Sequence, residues 1–199
     1  SSKTWCKLLA SDLYAVMILR ETDDTVGGMG ALYPVLVWPV HRVSHIPPYL
    51  VTYPYNRPSD IRGRWLTLNH LEKAPKESGL PPLVTTRVLD LATRKLCMGS
   101  IKNPQGTSFI QRTTEDTATV FHATVEIVGE FRIINWAVWQ FSVCQLEDNP
   151  RCLMQGKFIA PYLMALDCPV QRLDDERVLV ASTSMAGYNV SLAGVYDKT

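Results

Sequence analysis

Nine of the thirteen prolines lie between residues 34 and 82, at positions 34, 39, 47, 48, 54, 58, 75, 81 and 82. Each removes a backbone donor and fixes φ, so neither a long helix nor a central strand can run unbroken through this stretch. Edge strands, extended loops and short helices are expected there. One helix fits between prolines: Ser59 or Asp60 caps it, Ile61, Trp65 and Leu68 follow at i, i+4 and i+7, and Pro75 stops it. A second is predicted from Thr86 to Met98, with Leu89, Ala92 and Leu96 on one face and Gly99 after its end. A hairpin turning at Thr93-Arg94, between residues 87–92 and 96–101, is the alternative reading of the same segment.

Outside the proline-rich part the pattern is β. Leu13 to Leu19 reads as a buried strand, Asp23-Asp24 and Gly27-Gly28-Met29-Gly30 as a turn, and residues 31–40 as the returning strand. Before them, Trp5, Leu8 and Leu9 suit one helical turn. Phe121, Ala123, Val125 and Ile127 alternate with His122, Thr124 and Glu126, which predicts one buried and one polar face. Residues 131–143 are apolar on both faces, so that strand is expected to be covered on both, and Gly129-Glu130 turns between the two. Strands over 153–159, 177–182 and 188–196 and a helical turn over 161–166 complete the expectation. The predicted fold is α+β, a mainly antiparallel β-sheet or sandwich with two or three short flanking helices, in a single globular domain over residues 1–199.

With 46% hydrophobic and 20% charged residues in 199, the chain is not a disordered one. Five cysteines without a CxxC pair predict reduced thiols and a reducing compartment. The apolar stretch Leu13 to Leu19 is bounded by Asp12 and Arg20, far short of the roughly 20 residues that span a bilayer, and no basic region with a cleavage site precedes it. Neither a transmembrane segment nor a signal peptide is expected.

Motifs for chemistry are sparse. The Gly27–Gly30 run lacks the spacing of a dinucleotide or phosphate loop. His41 and His45 stand at i, i+4, but Pro39, Pro47 and Pro48 argue against the helix that would pair them, and Cys144 with Cys152 makes half a metal site. No metal or other cofactor is expected. The order His41 or His45, Asp90, Ser100 imitates a serine protease without a glycine-rich elbow, and Cys144 is a second imaginable nucleophile. The expectation is a protein that is not an enzyme, with a small Cys or Ser hydrolase as an alternative.

Charge is the feature that departs from this plainness. The net formal charge is +1, yet residues 25–112 carry eleven Lys and Arg against four Asp and Glu, whereas residues 113–199 carry six against eleven. The chain thus divides into a basic, proline-rich part and an acidic, β-rich part. The eleven cations, Arg42, Arg57, Arg62, Arg64, Lys73, Lys76, Arg87, Arg94, Lys95, Lys102 and Arg112, are the candidate contacts to an anionic partner. Self-association through the acidic part, as a homo-oligomer, is the matching expectation. An RNA-binding or capsid accessory role is the alternative use of the same cations, with Trp65 or Tyr55 as a stacking surface.

Tyr33-Pro34-Val35-Leu36 matches YPxL, a short signal by which viral structural proteins recruit host budding machinery. The Val120-to-Leu146 hairpin, with its aromatic second strand, is similar to hairpins of matrix proteins from negative-strand RNA viruses. The resemblance implies a viral structural protein, found in the virion and on the cytoplasmic face of host membranes. Such a protein self-assembles, binds anionic lipid through a basic face and links the envelope to the nucleocapsid through nucleoprotein or RNA. Tyr33, Pro34 and Leu36 would be its budding motif.

Overall fold

The computed structural model describes residues 3–22, 34–40, 47–52, 57–72, 82–129, 131–144, 150–161, 170–175, 177–180 and 194–196. Among them all regular structure is β, in three antiparallel sheets and a small ribbon. The first sheet is β1 (Lys3–Ala10), β2 (Tyr14–Thr22), β3 (Pro34–Pro39) and β4 (Tyr49–Thr52), in that order. The second runs β5 (Arg57–Arg62), β6 (Trp65–Glu72), β7 (Leu83–Asp90) and β8 (Lys95–Leu96), with β9 (Ile101–Pro104) also paired to β7. The third is β10 (Thr107–Thr113), β11 (Thr117–Val128), β12 (Phe131–Ser142) and β13 (Arg151–Pro161). The ribbon is β14 (Val170–Arg172), β15 (Val178–Val180) and β16 (Gly194–Tyr196).

The expected α+β fold with flanking helices is therefore corrected to an all-β one. At the first predicted helix, Gly63-Arg64 turns the chain so that Arg62 pairs with Trp65 and Ile61 with Leu66. At the second, β7 ends in a turn over residues 91–94, in which Arg94 takes a positive φ of 59° and Leu89 comes opposite Leu96. The hairpin alternative describes this segment. Trp5, Leu8 and Leu9 lie in β1, not in a helical turn, and residues 162–166 lie outside the described residues. Prolines sit where a ladder tolerates them: Pro34 and Pro39 end β3, Pro58 lies on the edge strand β5 at a bulge, and Pro47, Pro48 and Pro82 precede strands.

The sheets stack in layers. Val16, Val35 and Val37 of the first sheet pack on Ile61, Leu66, Leu68, Leu89 and Leu91 of the second. The opposite face of the second sheet, through Trp65, Val88, Cys97 and Ile101, packs on Ile110, Ala118, Val120 and Phe141 of the third. The far face of the third carries Phe121, Ala123, Ile134 and Val138 beneath Val178 of the ribbon. The middle sheets are covered on both faces, so their strands are apolar on both.

The β11–β12 hairpin is the longest pairing, in unbroken register from Thr117↔Ser142 to Val128↔Phe131, and Gly129 takes the left-handed φ of 58° that its two-residue turn needs. Burial along β11 does not alternate as predicted. Residues 118–123 are buried on both faces, including His122, whereas Val125, Ile127 and Val128 are exposed. The strand outruns the layers that cover its first half.

Candidate functional site

Among the described residues the candidate cations differ in their surroundings. Three are neutralised locally: Arg62 bonds Asp175 and the Gln111 carbonyl, Arg64 holds Asp90, and Lys102 Nζ lies 2.5 Å from a Glu72 oxygen. Arg94 stacks 4.1 Å from the centre of the Tyr49 ring. Arg57, Arg87, Lys95 and Arg112 are exposed. Arg57 lies opposite Asn69, and Asn69 opposite Thr86, so the neighbouring Arg87 projects from the other face of the sheet. Arg42, Lys73 and Lys76 lie outside the described residues, as does Tyr33. Pro34 and Leu36 belong to β3, which pairs with strands on both of its edges. Trp65 is fully buried and donates its indole N–H to the Thr114 carbonyl, which removes it as a stacking surface. Tyr55 lies outside the described residues.

The structure instead opens a cleft of about 550 Å³ where the end of β9 faces the third sheet. Its floor is set by register. His122, Ala137 and Gln155 form one cross-strand row, and Thr124, Asn135 and Lys157 form the next. Residues directly opposite share a face, so both rows point the same way. Trp139, opposite Val120, adds an indole one row inward, and Asn103 and Pro104 of β9 close the other wall.

His122 is buried and held at both nitrogens. Its Nε2 lies 3.1 Å from the Pro104 carbonyl, which can only accept, so Nε2 carries the proton and Nδ1 accepts the Ser108 hydroxyl at 2.6 Å. Burial lowers the imidazole pKa, and the Pro104 hydrogen bond only partly opposes that, so the ring is neutral at ordinary pH. Ser108, His122 and a carbonyl follow the order of nucleophile, base and orienting group. Ser108 is not among the residues lining the cleft, and the chain of bonds ties β9, β10 and β11 together.

Two polar atoms of the cleft wall, Asn103 Nδ2 and Trp139 Nε1, are buried without a hydrogen-bond partner. A buried donor left unmet costs roughly 1–3 kcal/mol. No carboxylate lines the cleft among the described residues, and Lys157 is the lining residue that carries charge. Sequence reasoning placed His122 and Thr124 on a polar strand face and passed over Asn103, Asn135, Trp139, Gln155 and Lys157; the alternation Gln155, Lys157 on one strand face was the available signal.

Cys97 is buried, which with the nearby Asp90 charge pushes its thiol up to about 12, while Cys144 and Cys152 are exposed free thiols. Cys144 Sγ lies 3.8 Å from an Asp116 oxygen. Among the described residues no cluster of His, Cys, Asp and Glu could hold a metal ion, and no helix is long and apolar enough to cross a membrane. The sequence matches no family model, and neither a curated protein nor a solved structure matches the chain.

Proposed function

We propose that this chain is a non-enzymatic structural protein of the matrix type, which assembles on an anionic lipid surface and inserts the tip of its β11–β12 hairpin. The tip carries the proposal. Val125, Ile127, Val128, Phe131 and, on the adjoining strand, Ile159 are each 47–61% exposed. Val125 and Ile127 lie on one face of the sheet; Val128, its partner Phe131, and Ile159, opposite Ile133, lie on the other. A protein partner of ordinary shape covers one face of a sheet. A tip that exposes apolar side chains on both faces, in a segment that also carries Glu126, Glu130 and Arg132, fits the headgroup–acyl boundary of a bilayer, where apolar groups enter and charges stay wet.

Magnitudes say what else is needed. Burying what remains exposed of these five side chains contributes on the order of 1 kcal/mol each. About 5 kcal/mol in all resembles the marginal, reversible anchoring of a single acyl chain, so a second contribution is required. Exposed Arg87, Lys95 and Arg112 supply attraction to anionic headgroups. Assembly supplies the rest by multivalency, and β13 offers a route to it: this eleven-residue strand ends the third sheet, with no described strand on its outer edge. The YPxL tetrapeptide and the hairpin resemblance support the reading that such a protein works in a virion, linking envelope to nucleocapsid.

Flotation with phosphatidylcholine vesicles, with and without phosphatidylserine, tests this reading. Recovery should require phosphatidylserine and decline with salt, and Phe131→Asp should abolish it. Equal recovery on neutral vesicles, or full recovery of Phe131→Asp, would refute it.

A further inference from the structure

We infer that the cleft between β9 and the third sheet is a binding site for a small organic anion rich in hydrogen-bond acceptors, of the size of a nucleoside monophosphate or an acidic sugar. The inference does not rest on the lipid-binding reading, because the cleft rows lie at mid-length of the third sheet and share no residue with the hairpin tip.

Three observations carry it. The volume of about 550 Å³ lies within the roughly 300–1,000 Å³ of small-molecule sites. The polar lining can donate as well as accept, through the carboxamides of Asn103, Asn135 and Gln155 and the indole of Trp139, and its one charged group is the Lys157 ammonium, with no carboxylate among the described lining residues to oppose an anion. The nearest acidic position on that face, Glu126, lies one row beyond Lys157, opposite Ile133. Finally, Asn103 Nδ2 and Trp139 Nε1 are shielded from water and bond nothing in the protein. A folded chain ordinarily pairs such donors. An acceptor that reaches them through a small side-chain rotation would pair two donors that the protein itself leaves unmet.

His122 sets the shape of the floor. With Nε2–H committed to Pro104 and Nδ1 to Ser108, both ring nitrogens are occupied, so His122 lines the cleft without a free donor or acceptor to offer a ligand. Lys157 is left to fix the anionic group and the carboxamides to read the polar body.

Calorimetric titration of the full chain with UMP, N-acetylneuraminate, uridine and inorganic phosphate tests the inference. UMP or N-acetylneuraminate should bind saturably at millimolar concentration or below, and whichever does so identifies the nucleotide or the sugar as the source. Uridine and inorganic phosphate should each bind about tenfold more weakly or not at all, since each lacks half of the recognition. Lys157→Glu, at an exposed position, should weaken binding at least about tenfold. Trp139→Phe keeps an aromatic side chain on the core but deletes the unpaired N–H, so it should weaken binding of the organic anion. Failure of both organic anions to bind, binding of inorganic phosphate as tight as that of UMP, or unchanged affinity in Lys157→Glu would overturn the inference.

Discussion

Arg64, in the turn that leads into β6, grips Asp90 at the end of β7 with two hydrogen bonds, Nε to Oδ1 at 2.7 Å and Nη2 to Oδ2 at 2.5 Å. The carboxylate is fully buried and also accepts the Ala92 N–H and the Thr93 hydroxyl, at 3.0 and 2.6 Å. It therefore organises the turn that carries β7 into β8. Burial alone would raise the Asp90 pKa, but Arg64, Thr93 and Ala92 outweigh it and hold the carboxyl below its ordinary value. Truncating Arg64 strands this charge with two neutral donors. Arg64→Ala should cost about 3 kcal/mol, measured by urea unfolding at neutral pH, and more than Asp90→Asn. The stability Asp90 provides is present above the ordinary carboxyl range near about 4 and is lost as pH falls through its lower folded value. Asp90→Asn should accordingly flatten the acid side of the stability profile.

His122 answers to pH in a different window. Its folded pKa is lowered, chiefly by burial, so the unfolded chain takes up a proton that the folded chain resists. Stability should be fully present above the unfolded value of about 6.5 and decline as pH falls from there toward the folded value. His122→Gln removes the titration. The stability gap between wild type and this variant should narrow between about pH 7.5 and 5; a gap that widens in acid would mean that the imidazolium is accommodated.

Gly156 lies opposite Trp136, and the ring occupies the space a side chain would need. A Cβ at Gly156 would come 2.5 Å from Trp136 Cζ2. The ring also stacks on Phe121, 6.1 Å between centroids at 14°, so it cannot swing aside without disturbing the outer core. Gly156→Ala should cost roughly 1–3 kcal/mol. Near-ultraviolet circular dichroism of the tryptophans should change with it. The double variant Gly156→Ala, Trp136→Leu should recover much of the loss.

How legible this was in the sequence depends on where each residue sits in the stack. The β11–β12 hairpin was readable because Gly129 marks its turn and strand-type residues run without break on both sides. The second sheet was not. Lying between two others, it buries Leu66 and Leu68 on one face and Trp65 and Val88 on the other, which erases the two-residue period. The turn at Gly63-Arg64 then produced a helical spacing of Ile61, Trp65 and Leu68 by coincidence. The basic and acidic parts of the chain also touch in a way that only the fold reveals. Asp175 of the acidic part meets Arg62 of the basic part, and the Gln111 amide and the Arg172 guanidinium bind the ribbon to β10 nearby. The cleft was invisible because β9, β11, β12 and β13 each contribute only two to four of its residues, and register rather than any motif joins them.

Insertion of the hairpin tip is most directly measured with an environment-sensitive fluorophore on Val128→Cys, in a background with Cys6, Cys144, Cys152 and Cys168 each changed to Ser, which leaves the buried Cys97 as the other thiol. Phosphatidylserine-containing vesicles should shift its emission to the blue, and a lipid-borne quencher placed in the acyl chains should dim it, while the same label on Lys95→Cys stays unquenched. Emission from the Val128 label that is unchanged by vesicles to which the protein is bound would contradict the account.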